Sequence, residues 1–89
     1  MSMAYTFYED GAHGWLRVPL AELQALGIAD KVTAYSYQDA DHAYLEEDLD
    51  LDTFIVAKGV QWKDLDITKQ YDEWSPVRSK ASYTSQNQG

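Results

Sequence analysis

The stretch Gly14-Trp15-Leu16-Arg17-Val18-Pro19-Leu20-Ala21-Glu22-Leu23-Gln24-Ala25-Leu26-Gly27 decides the fold class, because a strand pattern gives way to a helix pattern inside it. Trp15, Leu16 and Val18 supply the bulky apolar side chains that suit a pleated surface. Pro19 then stands where a first helical residue would, with its backbone angle already fixed. Leu20, Leu23 and Leu26 fall on one helical stripe, and Gly27 suits the left-handed turn that stops a helix. Strand followed directly by helix indicates a mixed chain.

Upstream, Ala4 to Tyr8 is a short aromatic-rich run ending at the turn cluster Glu9-Asp10-Gly11. It reads as a strand that forms a hairpin with Gly14 to Val18, Gly11 and Gly14 bracketing the loop around His13. Downstream, Val32 to Gln38 reads as a strand with Thr33, Tyr35 and Tyr37 on one face. After the polar connector Asp39-Ala40-Asp41-His42, Ala43 to Glu47 returns as its antiparallel partner. A second helix starts after Asp48 or Asp50, presents Leu51, Phe54 and Ile55 on one face, and ends at Gly59. Leu65, Ile67 and Tyr71 alternate with polar residues and predict a fifth strand, its apolar face interrupted by Lys69.

From Ser75 onward the composition turns to Ser, Gln, Asn, Lys and Gly, with Val77, Ala81 and Tyr83 as the candidates for docking on the body. The expectation is one α+β domain over residues 1–74, a small antiparallel sheet with two helices in the order ββαββαβ. A polar C-terminal tail over 75–89 follows, mobile beyond Tyr83.

Eighty-nine residues suit one domain. Hydrophobic residues at 45 % and aromatics at 13 % are enough for a core. The absence of cysteine excludes disulfides, thiolate metal sites and a cysteine nucleophile, and fits a reducing compartment. Fifteen acids against seven bases leave a net charge of −8, which disfavours direct binding to nucleic acid or an anionic membrane. No apolar run is long enough to span a bilayer, and Met1-Ser2-Met3-Ala4-Tyr5 lacks the basic start and apolar stretch of a signal peptide.

The charge excess is local. Asp39, Asp41, Glu46, Glu47, Asp48, Asp50 and Asp52 are seven acids within fourteen residues, and no Lys or Arg occurs between Lys31 and Lys58. Turn formation, solvation and helix capping give each of them an ordinary job. The functional alternative is a negative surface presented to a basic partner. A strand rises about 3.3 Å per residue, close to the phosphate spacing along one DNA strand, so crude phosphate mimicry is feasible if other elements add acids. Asp64, Asp66, Asp72 and Glu73 are candidates for that. Trp62 and Trp74 lie outside the clearest elements and are candidates for a secondary partner contact or a dimer seam.

Other chemistry finds little support. Asp48, Asp50 and Asp52 have the spacing of a calcium loop, but the sixth position is Thr53 rather than glycine and the twelfth is Gly59 rather than glutamate. Zinc would have only His13 and His42. Ser36 and His42 sit in no nucleophile-elbow pattern, and Glu46 and Glu47 would leave a strand on opposite faces. The glycines form no phosphate loop. His13 keeps a role open as the centre of a small-ligand loop, since flanking glycines allow close approach.

The segments His13-Gly14-Trp15-Leu16-Arg17-Val18, Leu26-Gly27-Ile28-Ala29-Asp30-Lys31, Tyr35-Ser36-Tyr37-Gln38 and Tyr44-Leu45-Glu46-Glu47-Asp48 together resemble a family of small uncharacterised proteins of bacterial phages, plasmids and mobile elements. The resemblance spans roughly residues 5 to 59, with a weaker continuation at Ser75-Pro76-Val77-Arg78-Ser79. It carries no catalytic residue. It implies an accessory protein in the cytoplasm of a bacterial host, and by analogy with small acidic proteins of such elements an anti-CRISPR or anti-restriction inhibitor that imitates DNA.

The reading is therefore a non-enzymatic acidic binding protein, without cofactor or metal. It docks on a basic nucleic-acid-binding protein through Asp39, Asp41, Glu46, Glu47, Asp48, Asp50 and Asp52, with Trp62 and Trp74 as secondary contacts. The alternatives are a structural or regulatory homo-oligomer, such as an edge-strand homodimer, and a small-ligand binder using the His13 loop.

Overall fold

Alternation along the strands gives this small sheet two buried faces. The structure is a computed structural model that describes residues 4–85. Strands β1 (Ala4–Glu9) and β2 (Gly14–Pro19) form the expected hairpin, Phe7 opposite Leu16 and Tyr8 opposite Trp15. Strand β4 (His42–Glu46) pairs antiparallel on the other side of β2, Leu45 opposite Leu16 and Tyr44 opposite Arg17. Phe7, Leu16, Val18 and Leu45 therefore point one way, into the main core with Leu23, Ile28, Leu51 and Phe54. Trp15 and Tyr44 point the other way and form a second, aromatic core with Val77, flanked by Tyr8 and Tyr37.

Helix α1 (Leu20–Ala25) begins one residue later than the sequence suggests, because Pro19 still pairs with His42 as the last residue of β2. Leu23 is fully buried, Leu20 and Leu26 flank it, and Gly27 takes a φ of +72° to end the turn. Helix α2 (Asp50–Lys58) stops at Gly59 as expected, left-handed at φ +73°, and buries Leu51 and Phe54, but its N-cap is Leu49 and no Asp side chain caps it. The two helices and β1 meet at Glu22, which accepts the Tyr5 hydroxyl at 2.9 Å and the Lys58 ammonium at 2.7 Å.

The order is α+β, with three departures from expectation. The predicted strand over 32–38 shrinks to β3 (Tyr37–Gln38). Thr33 and Ser36 instead wrap a turn around the Asp50 carboxylate, and a backbone bond from Ser36 to Thr33 closes it. Satisfying a buried carboxylate takes precedence over strand propensity.

The second departure is direction: β5 (Asp66–Tyr71) pairs parallel with β1, Tyr5 opposite Ile67, so the sheet is mixed. A helix joins β4 to β5, and such a crossover returns the chain to the end from which β4 started, which makes the next strand parallel to it. The third departure lies beyond residue 74. A 3₁₀ turn (Pro76–Ser79) buries Val77 completely, β6 (Ala81–Ser82) adds a sixth strand beside β3, and Tyr83 donates its hydroxyl to the Ala29 carbonyl. Of the docking candidates, Val77 and Tyr83 are buried and Ala81 is exposed in β6. Residues 75–85 thus complete the sheet rather than trail from it, and the mobility expected after Tyr83 falls mostly on residues outside those described. The strand order is β5-β1-β2-β4-β3-β6.

Candidate functional site

The seven acids between Asp39 and Asp52 do not form one surface. Asp50 is fully buried and accepts from the Thr33 amide, the Thr33 hydroxyl and the Ser36 hydroxyl. It is a structural ligand of its own loop and is not available to a partner, which corrects the sequence-based assignment. Asp39 accepts the Asp41 and His42 amides and, at 2.7 Å, the Tyr44 hydroxyl, with the Lys80 ammonium at 3.5 Å. Burial opposes its charged form, but those bonds and that ammonium outweigh it, and its pKa falls to about 2. Tyr44 responds in the other sense: burial, and then the bond to Asp39, push its hydroxyl well above the usual tyrosine range.

Glu46 is half-buried, its two carboxylate oxygens accepting the Asp48 and Leu49 amides ahead of α2. Asp41, Glu47, Asp48 and Asp52 remain exposed. Strand β4 separates Asp41 from the other three, and five residues at about 3.3 Å each put its ends about 13 Å apart. The free acids therefore divide into one at the β3–β4 turn and three at the opposite end.

At that opposite end a groove of about 410 Å³ opens between α2 and the β1–β5 side of the sheet. Glu9, Glu47 and Asp52 supply its negative charge, Lys69 its one positive group, and Phe7, Leu51, Ile55 and Trp62 its apolar walls. Gly14 brings Glu9 and Glu47 together: Glu9 is its ladder partner across the hairpin, and the Glu47 amide donates to its carbonyl at 3.0 Å. It must be glycine, because a Cβ there would lie 2.3 Å from Phe7 Cζ. Trp62 packs edge-on against Phe7 with centroids 5.5 Å apart and stays 38 % exposed. Sequence alone does not point to Glu9, which stands 38 residues before Glu47 and is joined to it only by the sheet register.

Trp74, the other candidate contact tryptophan, lies on the opposite face. Its exposed ring stacks on the Arg78 guanidinium at 4.2 Å, and Arg78 also lies 5.2 Å from the Trp15 ring. Arg78 is gripped from behind by Asp10, whose carboxylate also accepts the Ala12, His13 and Ser75 amides. The Arg78 bond, reinforced by those amides, holds the Asp10 carboxyl far below the ordinary range. Beside this lock His13 lines a second cleft of about 410 Å³ with Trp15, Tyr35, Tyr37, Glu46, Leu49 and Arg78. The two tryptophans therefore serve different surfaces.

Ser36 and His42 are not brought together: the serine hydroxyl is held by Asp50 and the Glu46 amide, while His42 Nδ1 lies 3.8 Å from Asp39. Among the described residues no three His, Asp or Glu side chains cluster in a way that could hold a metal ion, and no helix is long and apolar enough to cross a membrane. Fold and groove define a small α+β protein with a negatively charged, partly aromatic groove. Compared with family models, curated proteins and solved structures, the chain matches none.

Proposed function

We propose that this is a non-enzymatic docking protein whose groove captures a basic segment of a nucleic-acid-binding protein. The observation that carries the reading is the set Glu9, Glu47 and Asp52 around an apolar wall that includes Trp62, with Lys69 as the single base. Lys and Arg side chains match such a surface twice over: their aliphatic stems pack on apolar walls, and their charged heads take carboxylates or the face of an aromatic ring. The setting implied by the phage and plasmid resemblance is a bacterial cytoplasm, where capture of a defence protein's nucleic-acid surface would act as inhibition. In this reading the acids recognise a partner by local charge and shape rather than as a long phosphate-like row, because Asp50 is inside and Asp39 is already engaged.

The test is capture from bacterial lysate at low salt, followed by measured affinity for the partner so identified. Glu47→Lys with Asp52→Lys should weaken binding by about tenfold or more, whereas Asp41→Lys, at the far end of β4, should leave it within about twofold. Binding should also fall as salt rises. Equal behaviour of the two variants would overturn the groove assignment.

A second reading has one observation in its favour, the cleft in which His13 meets Trp15, Tyr35 and Tyr37. It is a small-ligand site, tested by screening compounds for quenching of tryptophan fluorescence that His13→Ala removes.

A further inference from the structure

The two edges of the sheet are unequal. On one side the last strand is β6, two residues long and paired with the two-residue β3, too short to template another chain. On the other side β5 is six residues long, contains no proline, and has β1 as its only strand neighbour among the described residues. Five of its residues are exposed, and Tyr71 at its end is 61 % exposed. A strand in this position presents a row of unpaired amides and carbonyls that natural sheets usually shorten, bend or cover.

We propose that β5 is a homodimer seam, pairing antiparallel with β5 of a second copy about a two-fold axis through Thr68 to give a continuous sheet of twelve strands, six from each chain. Side chains that face one another across an antiparallel pair must leave the same face of the sheet, so the axis passes through a residue and not between two. Four centres are available within the strand interior. About Lys69, Lys69 opposes itself and Asp66 opposes Asp72, like charges set on like. About Ile67 only residues 66–68 of the strand find strand partners, and about Gln70 only residues 69–71 do. About Thr68, residues 66–70 all pair: Asp66 with Gln70, Ile67 with Lys69, and Thr68 with Thr68, while Tyr71 falls opposite Leu65. Over residues 65–71 that register sets no like charges directly opposite one another, and threonine opposite threonine is a favourable cross-strand pair.

Charge also permits it. The chain carries −8, but Leu65 to Tyr71 holds one acid and one base, so the seam is locally neutral. Because the remaining repulsion is long-range, added salt screens it and should strengthen the dimer, opposite to the salt response of a charge-driven partner. The two-fold axis stands perpendicular to the sheet, so the helices of both copies share one face.

Light scattering of the purified protein over a concentration series up to the millimolar range, at low and high salt, reads the dimer directly. Thr68→Cys reads the register. The protein has no cysteine of its own, and paired Cα atoms about 4.5–5.5 Å apart fall within disulfide reach. Mild oxidation should convert Thr68→Cys to a cross-linked dimer at least about tenfold faster than Ser82→Cys on the opposite edge. Thr68→Lys, which sets two ammonium groups face to face on an exposed strand, should weaken the dimer while leaving the melting temperature of dilute monomer unchanged. One-chain mass at every concentration overturns the proposal, as does a dimer in which Thr68→Cys links no faster than Ser82→Cys.

Discussion

The Asp10 carboxylate and the Arg78 guanidinium, 68 residues apart in the chain, meet in a two-point ion pair of 2.7 Å and 3.1 Å that fastens the first hairpin to the C-terminal segment. The carboxylate is 1 % exposed and the guanidinium is held between Trp15 and Trp74, so geometry and charge fix the same contact. Asp10→Asn should lower the melting temperature at pH 7 and speed hydrogen exchange over 75–83. The folded carboxyl titrates below its unfolded counterpart, so its stabilisation is complete above the ordinary Asp range and fades as pH falls below it. The gap in melting temperature between wild type and Asp10→Asn should therefore close in acid; a constant gap would contradict the assignment.

Asp50 and Asp52 are two residues apart and answer to different physics. Asp50→Ala strands the Thr33 amide and two hydroxyls in a buried loop, and urea unfolding should show a loss of about 3 kcal/mol. Asp52→Asn, on the exposed wall of the groove, should change stability by no more than about 0.5 kcal/mol while reducing partner affinity.

Gly14→Ala drives a methyl group into the Phe7 ring and should cost about 1–3 kcal/mol in urea unfolding. Adding Phe7→Leu should recover part of that loss, so the double variant is more stable than the sum of the singles predicts.

The Asp39 carboxyl titrates at about 2 and the Tyr44 hydroxyl is the leading group that draws it down. Tyr44→Phe should move the Asp39 titration, followed by carboxyl NMR shifts, back toward its ordinary value near 3.8. Since the folded pKa lies below the unfolded one, the contribution of Asp39 is present above about pH 4 and disappears as pH falls toward 2. The variant should lose that part of the acid dependence.

Much of the fold is legible in the chain because its signals are local. Pro19, the Leu20-Leu23-Leu26 stripe and Gly27 lie within one helix length, and the register of the first hairpin follows from the turn at Glu9-Asp10-Gly11. The direction of β5 is not local: alternation reports burial and is blind to orientation, and the one available signal was the helix separating it from β4. Asp50 reads as a surface acid because Asp48 and Asp52 stand two residues to either side, whereas its ligands lie 14 and 17 residues upstream. Val77 and Tyr83 are legible as apolar residues that dock on the body, yet the polar composition around them conceals that β6 completes the sheet. In the groove, Glu47, Asp52 and Trp62 were within reach of composition; Glu9 needed the register.

The parallel pairing of β1 with β5 also sets a timetable. Ala4 finds its ladder partner in Asp66, and the aromatic face built by Trp15 and Tyr44 is not roofed until Val77 arrives. During synthesis the opening hairpin must wait with one flank unpaired and one face wet until the chain as far as Val77 is made. Contacts of such long sequence separation close slowly. A ribosome stalled before Ser75 would hold a nascent sheet whose Trp15 face lacks its cover, a natural substrate for chaperones or proteases.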